Sequence, residues 1–190
     1  YAEPVFTTHA LRKREEALFN GTVPSLLSSS GYGVDTAVAT SIIALVEERM
    51  TKRQVEAGGG TFALRDFQLA AVMQAACGDS QLCIQIAGAG MGKTTSAQFV
   101  KEILTAQGRI LIGVAPSNKA ASGLSRELGI PTSSMDRLLM DLDAGRATLD
   151  RQSVVLVDEA GMAGFDVMER LMAWSGKTGA KLIFMGDPEQ

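Results

Sequence analysis

Residues 87–95 read Ala-Gly-Ala-Gly-Met-Gly-Lys-Thr-Thr and follow an apolar run, Leu82–Ala87. A strand that ends in a glycine-rich turn and opens a helix predicts a phosphate-binding loop. Successive backbone N–H groups and the helix N-terminus together hold a polyphosphate anion. In this reading Gly88, Ala89, Gly90, Met91 and Gly92 wrap the phosphates with Thr95. Lys93 reaches the β- and γ-phosphates, and the Thr94 hydroxyl takes a position on Mg²⁺. The implied ligand is a nucleoside triphosphate, with ATP and Mg²⁺ the expected pair. The usual G-x-x-x-x-G-K-[ST] pattern has Gly where this chain has Ala87. Glycine is needed where φ is positive or where backbone closely approaches a ligand. Ala87 fits if it only closes the strand.

Working outward, the pattern on either side alternates. Apolar strand candidates are Leu82–Ala87, Ile110–Ala115, Val154–Val157 and Leu182–Met185. Helical stretches are expected near Arg65–Cys77, Lys93–Gln107, Lys119–Leu128, Ser134–Ala144 and Phe165–Ser175. Continuous apolar strands separated by helices predict an α/β domain of P-loop type, with a parallel sheet covered on both faces. Residues 61–190 are assigned to it. Residues 1–60 read as a helical N-terminal appendage and a glycine hinge. A helix runs from a Thr8 cap to about Asn20, with Leu11, Glu15 and Leu18 at helical spacing. Pro24 and the Ser28–Gly33 cluster mark a loop. A second helix over about Asp35–Ala57 carries Val38, Ile42, Leu45, Val46 and Met50, and Gly58-Gly59-Gly60 follows.

A second motif is Val154-Val155-Leu156-Val157-Asp158-Glu159. An apolar strand delivers two acids at its C-terminal end, where parallel sheets place their ligands. Asp158 is the expected Mg²⁺ ligand. Glu159, aimed elsewhere by the alternation of side chains along a strand, is the expected base that orients and deprotonates a water. The last strand runs into Gly186-Asp187-Pro188-Glu189-Gln190, where an uncharged Gln190 at a strand end can sense the γ-phosphate. Gly-Asp-Pro is equally good turn chemistry.

Composition narrows the classes. The chain is 46% hydrophobic, enough for a substantial core, and no apolar run approaches the ~20 residues of a membrane span. Residues 1–20 are too polar for a signal peptide. Cys77, Cys83 and the single His9 match no zinc pattern, which points to a reduced, cytoplasmic protein without a structural metal. The formal net charge of −3 supplies no overall basic field, so any nucleic-acid contact is local. Starting at Tyr1 without Met suggests a fragment.

Together these residues resemble the first motor domain of superfamily 1 DNA helicases, in the branch of exonuclease V alpha subunits and conjugative relaxase–helicases. Asp158-Glu159-Ala160-Gly161-Met162 and Gly186-Asp187-Pro188-Glu189-Gln190 look most like TraA-type conjugal transfer relaxases, and Phe6-Thr7-Thr8 with Glu15-Glu16 resembles their lead-in. The resemblance implies that Gln68, in a Q-x-x-A-V arrangement, reads adenine through its amide. It also implies that Pro116-Ser117-Asn118-Lys119 forms a DNA-contact segment, with capped helix N–H groups facing a phosphate. A further DNA-contact segment often reads Thr-x-His-x-Leu; here it is Ser134-Met135-Asp136-Arg137-Leu138, and a carboxylate at 136 repels phosphate. The family places a second motor domain and a relaxase domain beside the first. Neither is expected within these residues, since the relaxase needs a His cluster and His9 stands alone. The implied function is an ATP-dependent helicase fragment acting in conjugative plasmid transfer, binding single-stranded DNA weakly. Alternatives are a repair helicase of exonuclease V alpha type and a non-motor ATP-binding module.

Overall fold

In the computed structural model, described here for residues 9–88 and 90–186, five strands form one parallel sheet. They are β1 (Leu82–Ile86), β2 (Ile110–Ala115), β3 (Thr132–Ser134), β4 (Ser153–Val157) and β5 (Lys181–Gly186), in the order β1-β5-β4-β2-β3. The helices are α1 (His9–Ala17), α2 (Val23–Ser28), α3 (Thr36–Glu56), α4 (Asp66–Cys77), α5 (Lys93–Ala106), α6 (Asn118–Leu128), α7 (Met135–Asp143) and α8 (Phe165–Thr178). The expected P-loop α/β architecture is therefore what the chain adopts. β3 is the strand that apolar patterning does not reveal. It is three polar residues at the sheet edge, all half-buried, paired to Gly113–Ala115.

The strands sort their side chains by the period of two. In β4, Val154 and Leu156 join one core with Phe99, Ile103 and Leu124. Val155 and Val157 join the other, with Leu138, Leu171 and Leu26. In β5, Ile183 and Met185 face the first core, and Leu182 and Phe184 face the second. All five residues of β4 are buried, which is why this central strand reads as an unbroken apolar run. Fully burying a side chain such as Phe99 or Leu156 contributes about 1.5–3 kcal/mol each. Helices α3–α6 cover one face, and α7, α8 and the α1–α2 segment cover the other.

The N-terminal residues pack into the same cores. Ala39, Ile43 and Val46 of α3 lie in the cluster with Val72 and Val100. The glycines at 58–60 make a reversal tied down beyond the turn. The Phe62 N–H donates to Thr51 Oγ1 at 2.9 Å and the Leu64 N–H to Glu47 Oε1 at 2.7 Å. Pro24, expected in a loop, sits in the first turn of α2. Its missing N–H costs nothing there, and its fixed φ suits the helix. A π-helical turn over Leu18–Thr22 joins α1 to α2, so helix persists past the expected end near Asn20. The predicted Thr8 cap lies outside the described residues.

At the N-terminal ends of the strands, polar groups are used up. Gln81 Nε2 donates to the carbonyl oxygens of Ser175 and Ala180, at 2.7 and 3.0 Å, and to Ser175 Oγ at 3.0 Å. The buried Lys181 ammonium donates to the Gly78 carbonyl at 2.8 Å, and burial pulls its pKa down to about 8. Asp79 accepts from the N–H groups of Gly31 and Tyr32 at 2.7 and 3.1 Å, which holds its carboxyl below the ordinary range.

Candidate functional site at the C-terminal edge of the sheet

Because every strand pairing is parallel, all the loops that follow strands open on one edge. This edge collects Gly88 after β1, Pro116-Ser117-Asn118-Lys119 after β2, Asp158-Glu159 after β4, and the end of β5. Two of the expected site residues, Ala89 and Gln190, lie outside the described residues.

The loop after β1 has the conformation that its glycines allow. Ala87 donates its N–H to the Gly186 carbonyl at 3.2 Å, one step beyond the β1–β5 ladder, so it does close the strand. Gly90 and Gly92 have φ of 74° and 80°, left-handed values that other residues adopt only under strain. Gly92 is constrained twice, since a Cβ there would fall on Gln68 Nε2. Gly88 has no positive φ, and its Cβ would meet Met91 at ordinary contact distance. Gly92 stands at the N-cap of α5, and no side chain caps that helix. Lys93, Thr94 and Thr95 form its first turn, at the positive end of its dipole.

Gln68 has a task that its sequence context did not suggest. Its Oε1 accepts the Arg65 N–H at 3.0 Å, capping α4, while its Nε2 donates to the Met91 carbonyl at 3.3 Å. The amide thus ties α4 to the loop. An amide oxygen has a second lone pair and the nitrogen a second proton, so one donor and one acceptor site remain. Beside this tie lies a cleft of about 420 Å³ between α4 and β1, lined by Phe67, Gln68, Gln74, Ile86, Gly88 and Lys93 among others.

Asp158 follows the last residue of β4, and its N–H still donates to the Val114 carbonyl at 2.9 Å. Burial pushes its carboxyl above the ordinary carboxylate range. The Glu159 N–H, donating to Oδ1 at 3.0 Å, opposes that shift, and so does the charge of Lys93; the charges of Glu159 and Glu127 reinforce it. Three other charged side chains, from α5, α6 and the β4 loop, therefore act on Asp158 here. Glu159 has φ of 51°, the only non-glycine left-handed residue among those described. It lies beyond β4, so strand alternation does not aim it, as the sequence reading assumed. The left-handed backbone does. Such strain costs on the order of 1–3 kcal/mol and collects at functional sites.

A hard divalent cation such as Mg²⁺ takes oxygen donors, one or two carboxylates completed by phosphate and water. The Thr94 hydroxyl and the partly buried Asp158 carboxylate fit that chemistry. Among the described residues, no group of three or more His, Cys, Asp or Glu forms a metal site by itself.

Ser117, Asn118 and Lys119 are exposed together at the start of α6. Ser117 caps the helix, its Oγ accepting the Ala120 N–H at 3.2 Å. The corresponding start of α7 is different. Asp136 occupies its first turn, where an acid suits the helix dipole, and Arg137 Nε donates to Asp141 one turn on at 2.7 Å. Sequence reading missed Glu127, which accepts from the Thr94 hydroxyl. It belongs to no motif, and only the folded path of α6 brings it to the loop.

Sequence comparison finds relatives named for conjugal transfer. The probable conjugal transfer protein TraA of Sinorhizobium fredii is 36% identical over 127 residues, 67% of this chain and 11% of that protein. Conjugal transfer protein TraA of Rhizobium radiobacter is 34% identical over 127 residues, 67% of this chain and 12% of that protein. The chain therefore spans about a tenth of the length of the curated relatives it matches. The helicase domain of Pyrococcus furiosus Hef superposes with a TM-score of 0.46 at 17% identity, over 66% of this chain and 32% of that one, too distant to bear on function. Among the described residues no helix is long and apolar enough to cross a membrane. Residues 63–190 match the AAA domain model, and the chain belongs to that family of α/β domains; its motifs resemble the superfamily 1 TraA-type branch, to which the relatives above are the sequence counterpart.

Proposed function

We propose that residues 61–190 are the nucleotide-binding motor unit of an ATP-dependent DNA helicase acting in conjugative DNA transfer, with residues 9–60 as a helical element packed on it. The observation that carries this reading is the convergence at one sheet edge of two features. One is a left-handed glycine loop opening an uncapped helix at Lys93. The other is the Asp158-Glu159 pair after β4. The relatives named as conjugal transfer proteins support the process; the motor reading rests on the motifs and their placement.

In this reading Gly88, Ala89, Gly90, Met91 and Gly92 surround the phosphates, with Lys93, Thr94 and Thr95 at the helix start. Lys93 neutralises phosphate charge. Thr94 and Asp158 hold Mg²⁺, which when bound supplies charge stabilisation to the phosphates. Glu159 orients and deprotonates the attacking water, with Gln190 reporting on the terminal phosphate. The base lies in the cleft beside Phe67, and Gln68 meets it with its remaining donor and acceptor sites. Ser117, Asn118 and Lys119, following Pro116, hold a phosphate of single-stranded DNA. With one cation in that segment and a net charge of −3, DNA binding is weak and fades with salt. The parent protein's second motor domain and relaxase domain complete the activity.

The test is calorimetry of Mg·ATP and Mg·ADP with Lys93→Ala. A charge-assisted contact is worth about 1.5–3 kcal/mol, so affinity falls about tenfold to over a hundredfold. Undiminished affinity would remove the site from this loop.

A further inference from the structure

Helix α6 connects two parts of the edge. Its first turn presents Ser117, Asn118 and Lys119, and its last turn returns to the glycine loop. There the Thr94 hydroxyl donates to a Glu127 carboxylate oxygen at 3.1 Å. A hydroxyl has one proton and two lone pairs. With the proton directed at Glu127, the lone pairs of Oγ1 face away from that carboxylate. Coordination of a cation by Oγ1 therefore leaves the bond to Glu127 intact. The charge of Glu127 also reaches the Asp158 carboxyl, so the acid bonds one of the oxygen donors assigned to the cation and acts on the other through space.

The geometry points to Glu127 as a positioning residue of the nucleotide site, one that holds the Thr94 hydroxyl in the orientation a divalent cation requires. This rests on the nucleotide reading above. Groups that orient a metal ligand from behind typically govern metal affinity ten- to hundredfold. The same bond gives α6 a second role. α6 is 11 residues long, capped by Ser117 at one end and by left-handed Gly129 at the other, and it also packs on α5. Cation occupancy at Thr94 and a ligand at Ser117–Lys119 thus bear on one stiff element. Any coupling between them is reciprocal.

The experiment is calorimetry of ADP binding, in Mg²⁺ and in EDTA, to the wild-type chain and to Glu127→Ala, Glu127→Gln and Lys93→Ala. Glu127 is exposed and removing it empties no core, so the variants keep the wild-type fold and thermal transition. Glu127→Ala lowers affinity ten- to hundredfold in Mg²⁺ and changes it less than twofold in EDTA. Glu127→Gln, whose amide oxygen still accepts from Thr94, retains most of the Mg²⁺-dependent affinity. Wild-type binding by Glu127→Ala in Mg²⁺, an equal loss in EDTA, or a Gln variant as weak as Ala each overturns the positioning role. Lys93→Ala separates the two readings. If it removes binding while Glu127→Ala does nothing, only the role of Glu127 fails. If it leaves ADP binding intact, the nucleotide site fails and the role of Glu127 fails with it.

Discussion

The two ends of the sheet are built from the same strands and treat their polar groups in opposite ways. At the N-terminal ends, Gln81, Ser175, Lys181, Asp79 and Asp150 spend their hydrogen bonds on the chain itself. At the C-terminal ends, α5 opens without a side-chain cap, Gly90 and Gly92 are left-handed, Glu159 is strained, and burial raises the Asp158 carboxyl. One end stores stability, and the other stores strain and unspent electrostatic capacity. A parallel sheet makes the asymmetry possible, because it puts every following loop at one edge.

The sharpest way to break this contrast is to relax the strained end. Gly92→Ala places a Cβ at φ of 80° and against Gln68 Nε2. The left-handed conformation alone costs roughly 1–2 kcal/mol for a residue with a Cβ. Relief requires the loop to turn or Gln68 to release Met91. Either change moves the N–H groups of the loop, so Mg·ADP affinity falls at least about a hundredfold. Isothermal calorimetry checks this, and wild-type affinity in the variant would show that the loop geometry is not what binds. Gly88→Ala is the companion measurement, since a Cβ there makes only an ordinary contact with Met91 within the chain. Any loss it causes reports on the ligand's approach rather than on the fold.

The opposite end sharpens the contrast through stability. Gln81→Leu removes three hydrogen bonds to the α8–β5 turn. At 0.5–1.5 kcal/mol each, partly offset by the apolar replacement, the loss is about 2–3 kcal/mol of folding stability. Urea titration shows it as a lower midpoint with unchanged slope. Nucleotide affinity stays at the wild-type value, because Gln81 precedes β1 and Gly88 follows it. A drop in affinity without a drop in stability would undo the separation of the two ends.

The strained end was far more legible in the sequence than the saturated one. Gly-Met-Gly-Lys-Thr-Thr and Val-Asp-Glu announce themselves because phosphate and cation chemistry demands particular residues at fixed spacing. The central strands were legible for a different reason: burial on both faces leaves an apolar run, as in Val154–Val157. β3 escaped because a short edge strand of Thr and Ser carries no such run. Pro24 misled because proline marks loops and helix first turns alike. Gln68 and Glu127 were invisible as tethers. Their partners, Met91 and Thr94, lie far away in sequence and meet them only through the packing of α4 and α6 on α5. Glu159's left-handed backbone also has no sequence signal, since glutamate does not favour it.

Lys181 gives the smallest effect and the one with a pH signature. Its ammonium is buried at the saturated end beside Gly78, and burial lowers its pKa to about 8, against an unfolded value of about 10.4. Between those limits the unfolded chain holds a proton that the folded chain has released. Stability from this group therefore rises with pH through the window and is lost as pH falls toward 8. Cys77 and Cys83 act in the other direction. Burial raises both thiols, so the unfolded chain ionises first and their contribution falls as pH passes about 8.5. Because the Lys181 charge also acts on both thiols, the wild type and Lys181→Met are compared with Cys77 and Cys83 replaced by alanine in both. The variant gains stability relative to the wild type at pH 7 and loses that advantage by pH 10, a swing on the order of 1–2 kcal/mol. Denaturant titrations at half-unit pH steps measure the swing. Parallel wild-type and variant curves would mean that Lys181 stays protonated throughout, and that the saturated end satisfies a buried charge as well as it satisfies neutral groups.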